Sequence, residues 1–251
     1  MITIKYGYLY NWYAVTNVKE LTSSVAWRVP TMSDFTGLTA AVTIPMYSNF
    51  GGGVLKSIIT TPSNHPRWDS PNLNATNSVN FNLYGAGYVT SGGTFDWLGE
   101  WGNLWSVDES VNPTYPAAAF AQGITVGSNS NNIGTFTYLK SNGHAIRICR
   151  DATVTEQVHA DGTMLADYVG NNGQSYKTVK IGLLVWTAES LIETKYRDTS
   201  IISNITIAID WADDIIGAYT SYDNNNYYAW EMAVPSPPNI NHYFSVIQSW
   251  L

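Results

Sequence analysis

Charge is scarce in this chain: of 251 residues only 12% are Asp, Glu, Lys or Arg, against roughly 25% in an average soluble domain. The little that is present sums to −7, which excludes a surface of clustered Lys and Arg able to displace counterions from phosphates, and with it a nucleic-acid partner. Cysteine is almost missing as well. A lone Cys149 forms no internal disulfide and no four-cysteine metal site, and inside an apolar segment it is expected to be a small buried hydrophobe. No apolar run approaches the roughly 18 residues of a membrane-spanning helix, so no membrane insertion is expected. The opening residues Met1 to Tyr10 lack a basic stretch followed by an apolar one, so no signal peptide is expected either.

Chemistry-bearing clusters are equally sparse. His65, His144, His159 and His242 stand far apart, with none at the spacing of a helical metal-ligand pair. Asp108 and Glu109 are adjacent; on a strand, neighbours point to opposite faces, so they make no hydrolytic dyad. These absences point away from an enzyme.

What is abundant is aromatic and amide surface. Ten Trp and seventeen Tyr bring the aromatic share to 14%, and between Trp105 and Arg150 aromatics alternate with Asn, Ser and Gly. Tyr and Trp offer large contact area at low rotamer cost and small polar residues adapt to many partners, a composition that suits recognition by a rigid scaffold.

Thr31 followed by Asp34 has capping-box spacing, and Phe35, Leu38 and Val42 recur on one helical face, which predicts a helix there. From Gly51 to Arg150, short apolar runs (Val54-Leu55, Phe81 to Tyr84, Ala119 to Ala121, Thr135 to Leu139, Ala145 to Ile148) separated by Gly, Asn, Ser and Pro predict short strands with long loops. Beyond Asp151, Asn172-Gly173 predicts a turn before a strand over Ser175 to Gly182, continuing through Leu183 to Trp186. The sum is an α+β pattern. Pro235-Ser236-Pro237-Pro238 ends the packed body and starts an apolar tail carrying Phe244 and Trp250, which is expected to dock on a partner.

An ordered set of segments runs from Tyr6 to Val15 through Trp27-Arg28-Val29-Pro30-Thr31 with Asp34-Phe35, Gly52 to Ser57, and Trp68 to Asn72 with Ala75 to Asn77. It continues with Gly85 to Tyr88 and Leu104-Trp105-Ser106, and closes on Arg147 to Asp151. Taken together these segments resemble the Fibrobacter succinogenes major paralogous domain. Tyr176 to Gly182, Val185 to Leu191, Thr194 to Asp198, Gly217 to Tyr219 and Tyr222 to Asn224 resemble the opening part of the same family, yet follow its closing strand here. The resemblance implies a C-type-lectin-like fold, related to the formylglycine-generating-enzyme superfamily, in circularly permuted order. Residues 1–151 would form the C-terminal-type part. Residues 152–234 would form the N-terminal-type part, completing the fold in the same chain or in a neighbouring subunit, and 235–251 the docking tail. About sixty residues bury too little apolar surface to fold alone.

The superfamily's copper oxidase activity uses paired cysteines, which a single Cys149 does not supply. The calcium-binding lectin motifs are absent, so no cofactor is expected; the oxygen-rich Asp69 to Asn72 with Asn74 and Asn77, and Asp223 to Asn226, are the alternatives for calcium, though such residues also build turns. By analogy with related variable proteins of this fold, ligand contacts are assigned to Trp105, Asp108, Glu109, Asn112, Tyr115, Gln122, Asn129, Asn131, Asn132, Tyr138 and Lys140. Trp105 has a core reading as well, and Asn129 to Asn132 also reads as a hairpin tip. The resulting expectation is a non-enzymatic adhesin or display module on the surface of a virion, of a phage of Bacteroidetes-like hosts, recognising a host-surface glycan or protein. Other virion proteins or sibling subunits are its further partners, and the alternative is a structural capsid or tail decoration protein.

Overall fold

In the computed structural model, which describes residues 6–43 and 50–224, β1 (Leu9–Asn11) passes straight into a one-turn helix, α1 (Trp12–Val15). Asn11 makes that possible. Its buried side-chain oxygen accepts from the Ala14 amide at 3.0 Å as an N-cap, and also from the Ala218 amide at 3.0 Å, so one amide group caps a helix and ties down a distant segment.

Helix α2 (Met32–Val42) begins at Thr31 with the reciprocal bonds of a capping box to Asp34, and buries Phe35, Leu38 and Val42, as the spacing requires. Val54-Leu55, by contrast, is not a strand but part of a short helix, α3 (Gly52–Leu55). Close approach of other backbone explains it: a Cβ on Gly53 would lie 2.0 Å from the Asn74 carbonyl oxygen, so only glycine fits.

β2 (Ala86–Val89), β3 (Phe95–Leu98), β4 (Trp101–Glu109), β5 (Phe120–Gly127), β6 (Gly134–Leu139), β7 (Gly143–His144) and β8 (Cys149–Asp151) follow. Phe81 to Tyr84 is not a strand, because Asn80 and Asn82 sit at φ +54° and +52°, and left-handed residues break an extended ladder; Leu83 keeps only an isolated bridge to Lys56. Ala145 to Ile148 likewise runs between β7 and β8 outside any strand, with all four residues buried.

Beyond Asp151 come α4 (Val154–Gln157), β9 (Thr163–Val169), β10 (Ser175–Ile181), β11 (Leu184–Thr187), β12 (Ser203–Asn204), α5 (Ala208–Asp213) and β13 (Ala218–Thr220). A turn over Asn171 to Gly173 leads into β10. Among the described residues, the larger sheet has the order β12-β13-β1-β7-β2-β4-β5-β6 with β3 beside β2, and the smaller the order β8-β11-β10-β9. Two sheets with few short helices make a strand-rich α+β architecture.

Both sheets are built from residues on either side of Asp151. Leu9 pairs with Thr220 across β1 and β13, and Cys149 with Trp186 across β8 and β11. Two hydrophobic clusters do the same. One gathers Phe35, Trp68, Phe81, Val179, Trp186 and Trp211; the other gathers Tyr10, Trp12, Trp105, Ile148, Tyr176 and Tyr219. Arg147 lies buried at the seam, donating at 2.8 Å to the carbonyls of Thr187 and Asn82 with its guanidinium over the Phe81 ring. Burial pushes its pKa down to about 9, with the Glu189 charge acting in the opposite direction, and the two carbonyls and the ring hold this buried cation in place.

Candidate recognition face

The eleven residues expected to contact a ligand lie on β4 to β6 and their two connecting loops, but the pleat and the length of the strands divide them. Asn112 and Tyr115 are on the β4–β5 loop; Asn129, Asn131 and Asn132 are on the β5–β6 loop at the other end of β5. An eight-residue strand separates those ends by about 23 Å. Gln122 and Ala121 alternate across the sheet, so Gln122 joins Asp108 and Val111 around an open depression beside Thr31 and Met32, while Glu109 and Tyr138, both paired with Ala121, belong to the opposite face.

Trp105 is a core residue, correcting its placement as a contact. It has no exposed surface, and its indole donates to the Tyr10 carbonyl at 3.0 Å. Lys140 is also buried rather than displayed. Its ammonium sits 4.2 Å from the centroid of the Trp12 ring and pairs with the exposed Glu109 at 2.6 Å. The Asp108 carboxylate accepts from the Met32 amide, occupying an otherwise unpaired donor in the first turn of α2. Asn131 is spent on the frame: its side-chain oxygen accepts from Gly53 at 2.7 Å and its carbonyl from Gly52 at 2.8 Å. Exposed and open to a partner are Asn112, Tyr115, Asn129 and Asn132, with Tyr115 braced against Phe120 at 5.2 Å.

Lys56 holds the β5–β6 loop rigid. This lysine is fully buried and donates to the carbonyls of Gly127 at 3.1 Å and Ser130 at 2.9 Å, with Ser128 at 3.4 Å. Desolvation pushes its pKa down to about 8, and the Trp68 ring lies 5.5 Å from its nitrogen.

Sequence reasoning missed a second group. His144 is completely buried, and neither ring nitrogen has a hydrogen-bond partner among the described residues; loss of hydration pushes its pKa down to about 3. Trp105, Phe136, Tyr138 and Tyr88 surround it at ring-centroid distances of 4.5 to 5.4 Å. Tyr138 then stacks on Tyr88 at 5.8 Å and 11°, Trp97 meets Tyr88 at 5.5 Å, and Trp101 meets Trp97 at 5.9 Å. The row thus climbs from the core to Trp97, which is 44% exposed. Trp97 has φ +62°, a conformation that costs a bulky residue on the order of 1–3 kcal/mol. Its only sequence signal is aromatic density, which does not separate a surface Trp from a core one.

The oxygen-rich segments considered for calcium use several of their groups internally, although the buried Asn72 side-chain oxygen has no hydrogen-bond partner among the described residues. Asn72 donates to the Ser57 carbonyl, Asn77 and Asn82 bond each other, and Asn224 accepts from Thr220. Asn225 and Asn226 lie outside the described residues, as does the tail with Phe244 and Trp250. Among the described residues no three His, Cys, Asp or Glu side chains gather as a metal-binding group, and no helix is long and apolar enough to cross a membrane. Cys149 is fully buried, with its thiol pKa pushed up by burial.

A rigid aromatic frame bearing exposed amide and tyrosine loops, in a strand-rich α+β setting, defines the class. The chain belongs to the Fibrobacter succinogenes major domain family, whose model matches residues 3–150. No curated protein and no solved structure matches it.

Proposed function

We propose that the chain is a non-enzymatic recognition or display module carried on a virion surface, contacting a glycan or protein of the host cell. The observation that carries this reading is the Lys56 clamp. A buried ammonium, bonded to the carbonyls of Gly127 at the end of β5 and Ser130 in the β5–β6 loop, fixes a loop whose Asn129 and Asn132 remain exposed, and preorganised polar groups lose little entropy on binding. The pairing of β1 with β13 and of β8 with β11 supports a circularly permuted C-type-lectin-like fold, in which the segment after Asp151 supplies strands that the family's order would place first. A phage of Bacteroidetes-like hosts is the source this reading favours.

The test is binding of the fluorescently labelled full chain to intact Bacteroidetes cells. Saturable binding that falls at least tenfold in a Tyr115→Ala, Asn129→Ala double variant is the expected result; absence of saturable binding to every strain of the panel overturns the reading. A structural decoration role is favoured by a different observation, the exposure of Ile207, Ile209, Ile215 and Ile216 on and beside α5, since clustered exposed isoleucine suits a neighbouring protein. Under that reading Ile209→Asp and Ile216→Asp reduce incorporation into particles and leave cell binding unchanged.

A further inference from the structure

We infer that the exposed Trp97, with the half-buried Trp101 and Tyr138 gathered around the buried Tyr88, is a binding site for a neutral oligosaccharide, an inference that rests on the recognition reading and names one ligand class for it. The site lies on β2, β3, β4 and β6 and is distinct from the loop residues Asn112, Tyr115 and Asn132.

Several independent features converge on a saccharide. The rings follow one another at 5.5 to 5.9 Å between centroids; Tyr88 is the buried base on which the others pack, and the exposed Trp97 with its half-buried neighbour Trp101 offers apolar ring surface for the C–H face of a pyranose. Their roots are immobile, because Tyr138 and Tyr88 both lie against the buried His144 and, through it, against Trp105; little ordering entropy is lost when a ligand settles on them. Among the described residues the hydroxyl of the half-buried Tyr138 has no hydrogen-bond partner, which places a donor and acceptor at the rim. Asn129 adds an amide at the far end: a Cβ on Gly127 would sit 3.2 Å from the Asn129 side-chain oxygen and 3.4 Å from the Trp101 ring. A flat apolar face edged by a hydroxyl and an amide matches the two-sided chemistry of a sugar.

Charge narrows the class. Asp96 faces Tyr88 across the β2–β3 ladder and Glu100 adjoins Trp101; both are carboxylates, so they disfavour acidic sugars and phosphate-bearing ligands. The rings are tilted or edge-on to one another at Trp97, by 66° and 40°, and so do not close the cage that a quaternary ammonium requires.

The backbone of Trp97 is the second line of argument. A tryptophan held at φ +62° within β3 and 44% exposed occupies a position where glycine would relieve strain. Stability alone does not account for a large ring kept there; a ligand does.

The experiment incubates the full chain with an array of immobilised neutral and acidic oligosaccharides, alongside Trp97→Gly and Tyr138→Phe. Retention of the wild-type chain on a subset of neutral oligosaccharides is expected. Trp97→Gly should melt at or above the wild-type temperature yet lose at least tenfold in retention, and Tyr138→Phe, which removes only a hydroxyl, should lose about threefold or more. A blank neutral array, binding confined to acidic sugars, or both variants binding like wild type overturns the assignment. If the array is blank while the chain still binds intact cells, the saccharide site fails and recognition stands on another ligand; if cell binding is also absent, the functional reading falls with it.

Discussion

His144 shows how one buried residue sets a pH dependence. Its folded pKa is pushed down to about 3 by desolvation, whereas in the unfolded chain it titrates near 6.5, so between those values the unfolded state binds more protons and stability falls as pH falls. Across the two units from pH 6.5 to 4.5 this group alone is worth about 2–3 kcal/mol. Tyr88 and Tyr138 are the titratable groups stacked on it, and both stay neutral throughout this range, their pKa values being raised by burial. His144→Phe should therefore match or exceed wild-type stability at pH 7, and its urea midpoint should fall less than that of the wild type on acidification to pH 4.5; equal acid sensitivity of the two proteins would refute the assignment. At this scale the sequence was only partly legible. Residue type revealed an aromatic, amide-rich face, but Trp105 and Trp97 are the same residue with opposite fates, one wholly buried and one 44% exposed. Charge was similarly opaque: in a chain with few charges, Lys56, Lys140, Arg147, Lys180 and Glu193 are all buried, each held by hydrogen bonds, with Lys140 and Lys180 also in ion pairs, that no local pattern announces.

Helix α2 is the element whose chemistry is most local, and its legibility follows from that. Thr31, Asp34 and the apolar positions Phe35, Leu38 and Val42 lie within eleven or so residues of one another, and the capping box and the buried face are both present. Thr31→Ala should cost about 1 kcal/mol. Asp34→Ala should cost about twice that, because its carboxylate also accepts from Arg28 at 3.1 and 2.8 Å in charge-assisted bonds; urea denaturation of the two variants checks the ratio, and equal losses would show that the Arg28 pair contributes nothing. Strands were legible where the chain stays extended, as in β5, β6 and β10. They were misread where asparagine enters the left-handed region, at Asn80 and Asn82, or where glycine permits backbone contact, at Gly53. Both depend on what the rest of the chain brings alongside, which a single segment does not encode.

For the whole molecule the decisive fact is that the chain after Asp151 is woven into the body rather than appended to it. Trp186, Val179, Ile181 and Trp211 fill one hydrophobic cluster, and Tyr168, Tyr176 and Tyr196 fill the other. At roughly 1.5–3 kcal/mol for each large apolar side chain buried, their removal costs as much as the whole 5–15 kcal/mol by which a typical domain is stable, or more. Deleting them also strips β1 of its partner β13 and β8 of its partner β11, leaving two open strand edges. A fragment ending at Asp151 should accordingly show no cooperative thermal transition and no near-ultraviolet circular dichroism. Adding a separate 152–224 fragment should restore both, because the missing strands and aromatics return without any need for the peptide bond at Asp151. A cooperative transition in the first fragment alone would mean that the family-matching region, residues 3–150, carries a self-sufficient core. The later strands would then be an embellishment of it, and the case for a permuted fold would lose its physical basis.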